Sequence, residues 1–201
     1  MERIETDRLI LKEAEVDDVP IIINYYLRNR EFLKLFEPAK SDEFFTEARW
    51  VKKIKTWETT AMMDLHFYLY MKVDISRVIG SLSFSQIVSF PVFSGMMGYS
   101  MDEKEQGKGY MAEAATAAIR FMFEEKGLHR IYAEYMPTNT RSGKLLKGLG
   151  FRVEGYVRES VLINGRWEDN LLTGLLIGDF KPYITGHTNS NISMEEKQKP
   201  G

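Results

Sequence analysis

The residues with the clearest chemistry are Gln106-Gly107-Lys108-Gly109-Tyr110-Met111-Ala112-Glu113-Ala114. A run that reads as a strand, Met97 to Met101, and an acidic loop, Asp102 to Glu105, lead into them. A helix rich in alanine follows, with Ala112, Ala114, Ala115, Ala117 and Ala118. Glycines between a strand and a helix let backbone N–H groups approach an anion. The helix start adds roughly half a positive charge at the same place. Lys108 supplies a whole one. The stretch is expected to hold the phosphates of a cofactor, although two glycines alone also suit a plain tight turn.

The elements around this turn follow from hydrophobic period and punctuation. Arg8 to Glu13 reads as a strand, and Asp17-Asp18 with Pro20 open a helix through Ile21 to Tyr26. A second helix is expected from about Phe44 to Thr59, after an apolar link, Arg30 to Asp42, suited to packing or to lining a substrate cleft. The period then changes to two. His66–Met71, Val78–Phe84 and Met97–Met101 read as an antiparallel meander. Beyond the glycine turn come a helix from Met111 to about Lys126, closed by Gly127, and a strand, Arg130–Tyr135. Next are a helix from Arg141 to Leu149 and two long strands joined by Asn164-Gly165, the strongest hairpin signal in the chain. The class is α+β, with one parallel crossover at the glycine turn. Residues 1–184 are expected to form a single domain and the polar stretch 185–201 a disordered tail.

Composition removes several function classes. Of 201 residues, 44% are apolar and 28% charged, with a net charge of −2 and no basic block, which argues against direct nucleic-acid binding. There is no cysteine, hence no disulfide, thiolate ligand or cysteine nucleophile, which fits a reducing, cytoplasmic compartment. No stretch approaches a membrane span. His66, His129 and His187 lack metal-ligand spacing, so no metal is expected. The aromatic run Phe90-Pro91-Val92-Phe93 suits a loop over substrate or a contact between subunits of a homo-oligomer.

Two cofactors compete for the turn. Gly107-x-Gly109-x-x-Ala112 matches a loose dinucleotide pattern, and Glu134 ends the next strand where a ribose hydroxyl would be met. The turn lies mid-chain behind antiparallel strands, however, and the strand–helix units of a doubly wound sheet do not follow. The alternative is coenzyme A. Residues 97–151 resemble the GNAT acetyltransferases, whose Gln/Arg-x-x-Gly-x-Gly/Ala motif reads here Gln106-Gly107-Lys108-Gly109-Tyr110-Met111, with Met111 departing from the usual small residue. Asn139-Thr140-Arg141-Ser142 and Leu145-Leu146-Lys147-Gly148-Leu149-Gly150-Phe151 are similar to two further family segments. The opening Glu5-Thr6-Asp7-Arg8-Leu9 and the ending Glu154-Gly155, Asn164-Gly165 and Asp169 resemble the ribosomal-protein (RimJ/RimL-like) branch.

The resemblance implies a mixed, largely antiparallel sheet flanked by helices, and acetyl-CoA as cosubstrate. It implies that backbone groups of Tyr99, Ser100 and Met101 bond the pantetheine arm. Amides from Gly107, Lys108, Gly109, Tyr110, Met111 and Ala112 would hold the pyrophosphate, with Gln106 opening the motif as a further cofactor-binding residue. Asn139 would meet the arm from the other side, and Arg141 or Lys144 the nucleotide phosphate. Ser142 is implied as the acid near sulfur. Glu159 is the first candidate base and Glu103 the second; both types also suit solvated surface carboxylates. The implied reaction is direct attack of a primary amine on the thioester. A lysine amine sits about 2.5 pKa units above an α-amine, about 3.4 kcal/mol harder to present neutral. A modest base therefore favours a protein N-terminal α-amine, with a polyamine or antibiotic amine as runner-up. A non-catalytic coenzyme A sensor is the alternative from another class.

Overall fold

The computed structural model describes residues 2–59 and 64–182; the expected tail, 185–201, lies outside them. Eight strands form one sheet: β1 (Arg3–Glu5), β2 (Leu9–Glu13), β3 (Leu65–Met71), β4 (Gly80–Val88), β5 (Ser94–Met101), β6 (Arg130–Tyr135), β7 (Arg152–Ile163) and β8 (Arg166–Leu176). Their order is β1-β2-β3-β4-β5-β6-β8-β7, and among them only β5 and β6 pair in parallel. The helices are α1 (Val19–Arg28), α2 (Arg30–Leu33), α3 (Glu47–Thr59), α4 (Tyr110–Glu124) and α5 (Thr140–Leu149). The single crossover required by the parallel pair is α4, which begins at the glycine turn as expected.

Two cores cover the two faces of this sheet. On one face α4 buries Ala114, Ala115, Ala118, Ile119 and Met122 against Leu9, Leu11, Phe67, Leu69, Leu82 and Phe84. The small alanines bring the helix close to the strands, and the larger residues fill the ends. On the other face α1 and α3 bury Ile22, Tyr25, Trp50 and Ile54 against Tyr68 and Tyr70. Trp50 stacks on Tyr26 with centroids 5.7 Å apart, and its indole N–H donates to the Phe44 carbonyl at 2.8 Å. Alternating residues of β3 thus point into different cores, which is the strand period at work.

Three local differences from the sequence expectation matter for the site. The apolar link after α1 contains a one-turn helix, α2, whose first hydrogen bond runs from the Leu33 amide to the Asn29 carbonyl at 2.8 Å. β5 starts at Ser94, three residues earlier than expected, and those residues carry the parallel pairing. The Phe90–Phe93 turn joins β4 to β5 at the end of β5 opposite the glycine turn. Phe90 is 82% exposed, and none of these four residues lines the cleft described below.

Candidate active site

β5 and β6 pair through only three positions, Ser94 with Arg130, Gly95 with Ile131 and Met96 with Tyr132. From Met97 onward β5 stays on β4 while β6 stays on β8, so a wedge opens inside the sheet. A cleft of about 650 Å³ occupies that wedge. Tyr99, Ser100 and Met101 line one wall; Glu134, Tyr135 and the start of α5 line the other. The wide end is closed by the glycine turn.

At that turn Gly107 (φ +75°) and Gly109 (φ +78°) are both left-handed, a conformation that a side chain would strain. Gly109 occupies the N-cap of α4 and offers no side chain to cap it. The first amides of a helix lack intrahelical acceptors. Here they belong to Tyr110, Met111 and Ala112, which line the cleft together with Gln106, Gly107 and Gly109. Met111 is 9% exposed and is part of the core, so its bulk packs among buried residues.

Lys108 departs from expectation. It is absent from the cleft lining, and its ammonium donates to Glu105 at 2.8 Å, a spacing of three residues that brings the pair together. Glu105 is 6% exposed and also pairs with Arg77. The turn therefore presents its amides to the cleft, with the lysine charge engaged by Glu105. A second brace fixes the helix start. The buried Glu113 carboxylate accepts from Thr6 Oγ1 (2.6 Å), the Arg8 amide (2.9 Å) and Arg8 Nε (2.6 Å), and Arg8 Nη1 donates to the Lys108 carbonyl at 3.0 Å. Burial raises the Glu113 carboxyl, but these bonds outweigh it and hold the group below its ordinary value.

The α5 side of the cleft is set by its cap. Asn139 Oδ1 accepts from the Ser142 amide at 3.1 Å, so Asn139 caps the helix while also lining the cleft. With the cap supplied by Asn139, the Ser142 hydroxyl is free to hydrogen-bond the Tyr99 hydroxyl across the wedge. Burial pushes Tyr99 up to about 12, opposed by the bond to Ser142. Gly143 lets the start of α5 pack against β6, since a Cβ there would lie 2.9 Å from the Tyr135 ring. Arg141 bonds the Gln106 side chain across the mouth, and Lys144 lines the same mouth.

The two carboxylates expected as bases stand elsewhere. Glu103 is exposed, outside the cleft lining, and its amide is engaged by Asn29 Oδ1 at 3.0 Å. Glu159 is also exposed and outside it, with φ +51° and its amide bonded to Asp169 Oδ1 at 2.7 Å. A register shift in β7 between Val157 and Val161 causes this: the extra residues break the alternation. Ser160, not Glu159, turns inward, and its hydroxyl donates to Glu134 at 3.2 Å. Glu134 lines the cleft and also accepts from Asn170 Nδ2 at 3.0 Å. It was visible in the sequence as the acid near the end of the strand after the glycine helix, weighed there only against a ribose.

The remaining wall comes from α2 and the turn after it. Phe32, Leu33, Phe36 and Glu37 face Val161 and Asn170 across the cleft. Asn164 at the tip of the β7–β8 hairpin donates to the Lys34 carbonyl at 2.7 Å, which ties the hairpin to α2. The Asn164 and Gly165 φ angles, +49° and +78°, are those of the tight hairpin turn that the dipeptide predicts.

A strand edge left open beside glycine-held helix amides, with paired hydroxyls and a carboxylate along the same gap, defines a coenzyme A-dependent acyltransferase. Residues 8–152 match the acetyltransferase (GNAT) domain family, and the chain belongs to it. It is 39% identical to the [ribosomal protein uS5]-alanine N-acetyltransferase of Escherichia coli over 90% of this chain and 93% of that one. The crystal structure of the ribosomal-protein-S5-alanine acetyltransferase from Vibrio fischeri superposes with a TM-score of 0.84. It is 36% identical and covers 90% of this chain and 100% of its own. Mycobacterium smegmatis RimJ, solved in complex with a CoA-disulfide, shares the fold with a TM-score of 0.77 at 22% identity, over 85% of this chain and 82% of that one. The chain is an N-acetyltransferase that takes acetyl from acetyl-CoA to an amine-bearing acceptor. Its own residues fit that cosubstrate: uncapped amides at α4, and an unpaired stretch of β5 along the gap.

Proposed function

We propose that this chain acetylates the N-terminal α-amine of a protein of the ribosomal class, in the cytoplasm. The observation that carries the reading is the placement of Glu134 and the Tyr99–Ser142 pair on one cleft with the glycine turn. The relatives named for ribosomal-protein alanine acetylation support the acceptor class.

The division of labour follows from the geometry. Acetyl-CoA supplies a thioester whose carbonyl an amine attacks, so the enzyme must take a proton from nitrogen and stabilise the departing sulfur. Amides of Tyr110, Met111 and Ala112 hold the pyrophosphate, and the backbone of Tyr99 to Met101 holds the arm as a strand would. Arg141 and Lys144 stand at the mouth for the nucleotide phosphate. Glu134 replaces Glu159 and Glu103 as the base. Its two donors, Asn170 and Ser160, keep the carboxylate oriented, and an α-amine near pKa 8, about a tenth neutral at pH 7, asks little more of it.

The Ser142 role is sharpened by the Tyr99 value. Burial raises the Tyr99 phenol to about 12, above the thiol range, so full transfer of its proton to a thiolate is uphill. Tyr99 and Ser142 therefore stabilise sulfur by hydrogen bonding and do not give up a proton to it. With the Tyr99 hydroxyl donating to Ser142 Oγ, the Ser142 O–H would be left to donate a hydrogen bond to the sulfur.

A direct test offers the enzyme acetyl-CoA with an alanine-starting peptide, the same peptide N-blocked but carrying lysine, and spermidine. Mass spectrometry is expected to show one acetyl group on the free α-amine peptide alone. Faster turnover of spermidine would move the acceptor to small amines. Acetylation of the blocked peptide would move it to lysine.

A further inference from the structure

Asn29 lies between α1 and α2, is 2% exposed, and joins three elements at once. Its carbonyl accepts the first hydrogen bond of α2, from Leu33 at 2.8 Å. Its side-chain N–H donates back to the Tyr25 carbonyl of α1 at 2.9 Å. Its side-chain oxygen accepts the Glu103 amide, in the loop that runs from β5 into the glycine turn, at 3.0 Å. The neighbouring residue repeats the link, because Arg28 Nε donates to Asp102 at 2.7 Å. Asp102 is itself 2% exposed, and its other oxygen accepts the Lys104 amide at 3.0 Å. Arg77 then connects Asp102 to Glu105 within the same loop.

These bonds have no part in acyl transfer: neither Asn29 nor Asp102 lines the cleft. What they join is informative. On one side is the loop whose glycines hold the coenzyme; on the other are Leu33, Phe36 and Glu37, which follow Asn29 by four to eight residues and wall the acceptor end. A helix of four residues has little stability of its own. Leu33 seats it in the core beside α1 and α3, and the rest of its placement comes from its ends, of which the N-terminal one is fixed to the coenzyme loop.

We infer that Asn29, seconded by the Arg28–Asp102 pair, is a latch that couples the coenzyme loop to the acceptor wall. Ordering of the loop by coenzyme A orders α2 and so completes the acceptor site before an amine arrives. Asn29 is a positioning residue and touches no reacting atom. The inference rests on the amine-acceptor reading of the cleft only for its purpose; the coupling itself is measured with coenzyme A alone.

The experiment is amide hydrogen exchange on the full chain with and without coenzyme A, in wild type and Asn29→Ala. The reporters are the amides of Leu33, Lys34, Phe36 and Glu37, each hydrogen-bonded within the wall. In wild type, coenzyme A is expected to slow them about fivefold or more, a usual size for coupling between sites. In Asn29→Ala the loop from Glu103 to Ala112 is expected to keep its protection by coenzyme A while residues 33–37 lose theirs. Equal protection of 33–37 in both proteins, or none in wild type, overturns the latch. If Asn29→Ala does not fold, Asp102→Asn, which keeps the shape and removes the negative charge that holds Arg28, is read by the same criterion. With an acceptor that the enzyme turns over, the variant is expected to raise acceptor KM about fivefold, to weaken coenzyme affinity by no more than about that same factor, and to leave kcat within twofold. A protein that binds coenzyme A and shows the coupling yet acetylates no peptide would refute the acceptor reading and leave the latch standing.

Discussion

The two ends of the cleft are built on different principles. The coenzyme end is made of backbone from one continuous stretch, Tyr99 to Ala112, joined by the first turn of α5. The acceptor end is made of side chains from α2, β6, β7 and β8, with Phe36 and Glu134 nearly a hundred residues apart in sequence yet on one cleft. Backbone recognition tolerates many side chains provided that the conformation is reached. Side-chain recognition tolerates few substitutions but can be retuned one residue at a time. An enzyme family that keeps its cosubstrate and varies its acceptor is well served by that division.

The sharpest way to break the comparison is at Glu134. Glu134→Gln is expected to lower kcat about a hundred- to ten-thousand-fold while coenzyme affinity stays within twofold, as a lost general base would. Glu159→Gln and Glu103→Gln, both on solvated carboxylates, are expected to stay within twofold in steady-state rates. A large loss at Glu159 with none at Glu134 would reverse the assignment.

At the coenzyme end the largest effect should come from a residue with no side chain. Gly109→Val forces a β-branched residue into φ +78° at a cost of about 2 kcal/mol, so coenzyme affinity measured by calorimetry is expected to fall roughly thirtyfold.

Glu113→Gln tests the brace beneath the turn. Removing a buried carboxylate from a half-exposed arginine is expected to lower stability by roughly 2 kcal/mol and the melting temperature by about 4–8 °C. The sign with pH follows from the direction of the shift. Glu113, Asp102 and Glu105 are all held below their ordinary values; for each, burial opposes and the basic partners prevail, helped at Glu113 and Asp102 by backbone amides. Their contribution is complete above the unfolded values, 4.5 for the glutamates and 3.8 for Asp102, and is lost as pH falls through the folded ones. Thermal melts from pH 7 to pH 3 are expected to be flat, then fall below about pH 4.5. The fall should be shallower in Glu113→Gln.

The smallest effect is the most telling for the backbone argument. Lys108→Ala is expected to change coenzyme affinity by less than about twofold, because its charge is already met by Glu105.

How much of this was legible in the sequence follows the same division. The strands and helices flanking the glycine turn lie within a few residues of where period and caps put them. Gly150 ends α5 in the left-handed conformation that the position calls for, and Gly127, also left-handed, lies three residues past the end of α4. The turn itself could be read because its function needs a local conformation, and local conformation is written in neighbouring residues. Glu134 and Glu159 could not be told apart, since the choice depends on an irregularity in β7 that no residue type marks. α2 was also hidden: its four residues carry no helical period, and a buried Asn and a tie to a distant hairpin hold it. Lys108 misled because a charge in a motif reads as available until its neighbour three residues back is seen to take it.

The wedge between β5 and β6 bears on solubility as much as on catalysis. From Met97 to Met101 the sheet has an interior edge, with main-chain groups that no strand answers on the β6 side. Open edges recruit other chains, and proteins commonly guard them with charge, proline or a covering segment. Here the guard is geometric. The gap tapers shut at Met96 and Tyr132, with the glycine turn across its wide end, so it receives a slender flexible arm and turns away another sheet. Resistance to strand-swapped aggregation thus comes from the same taper that admits the coenzyme. A substitution that widened the taper to suit a bulkier acyl chain would be expected to surrender some of it.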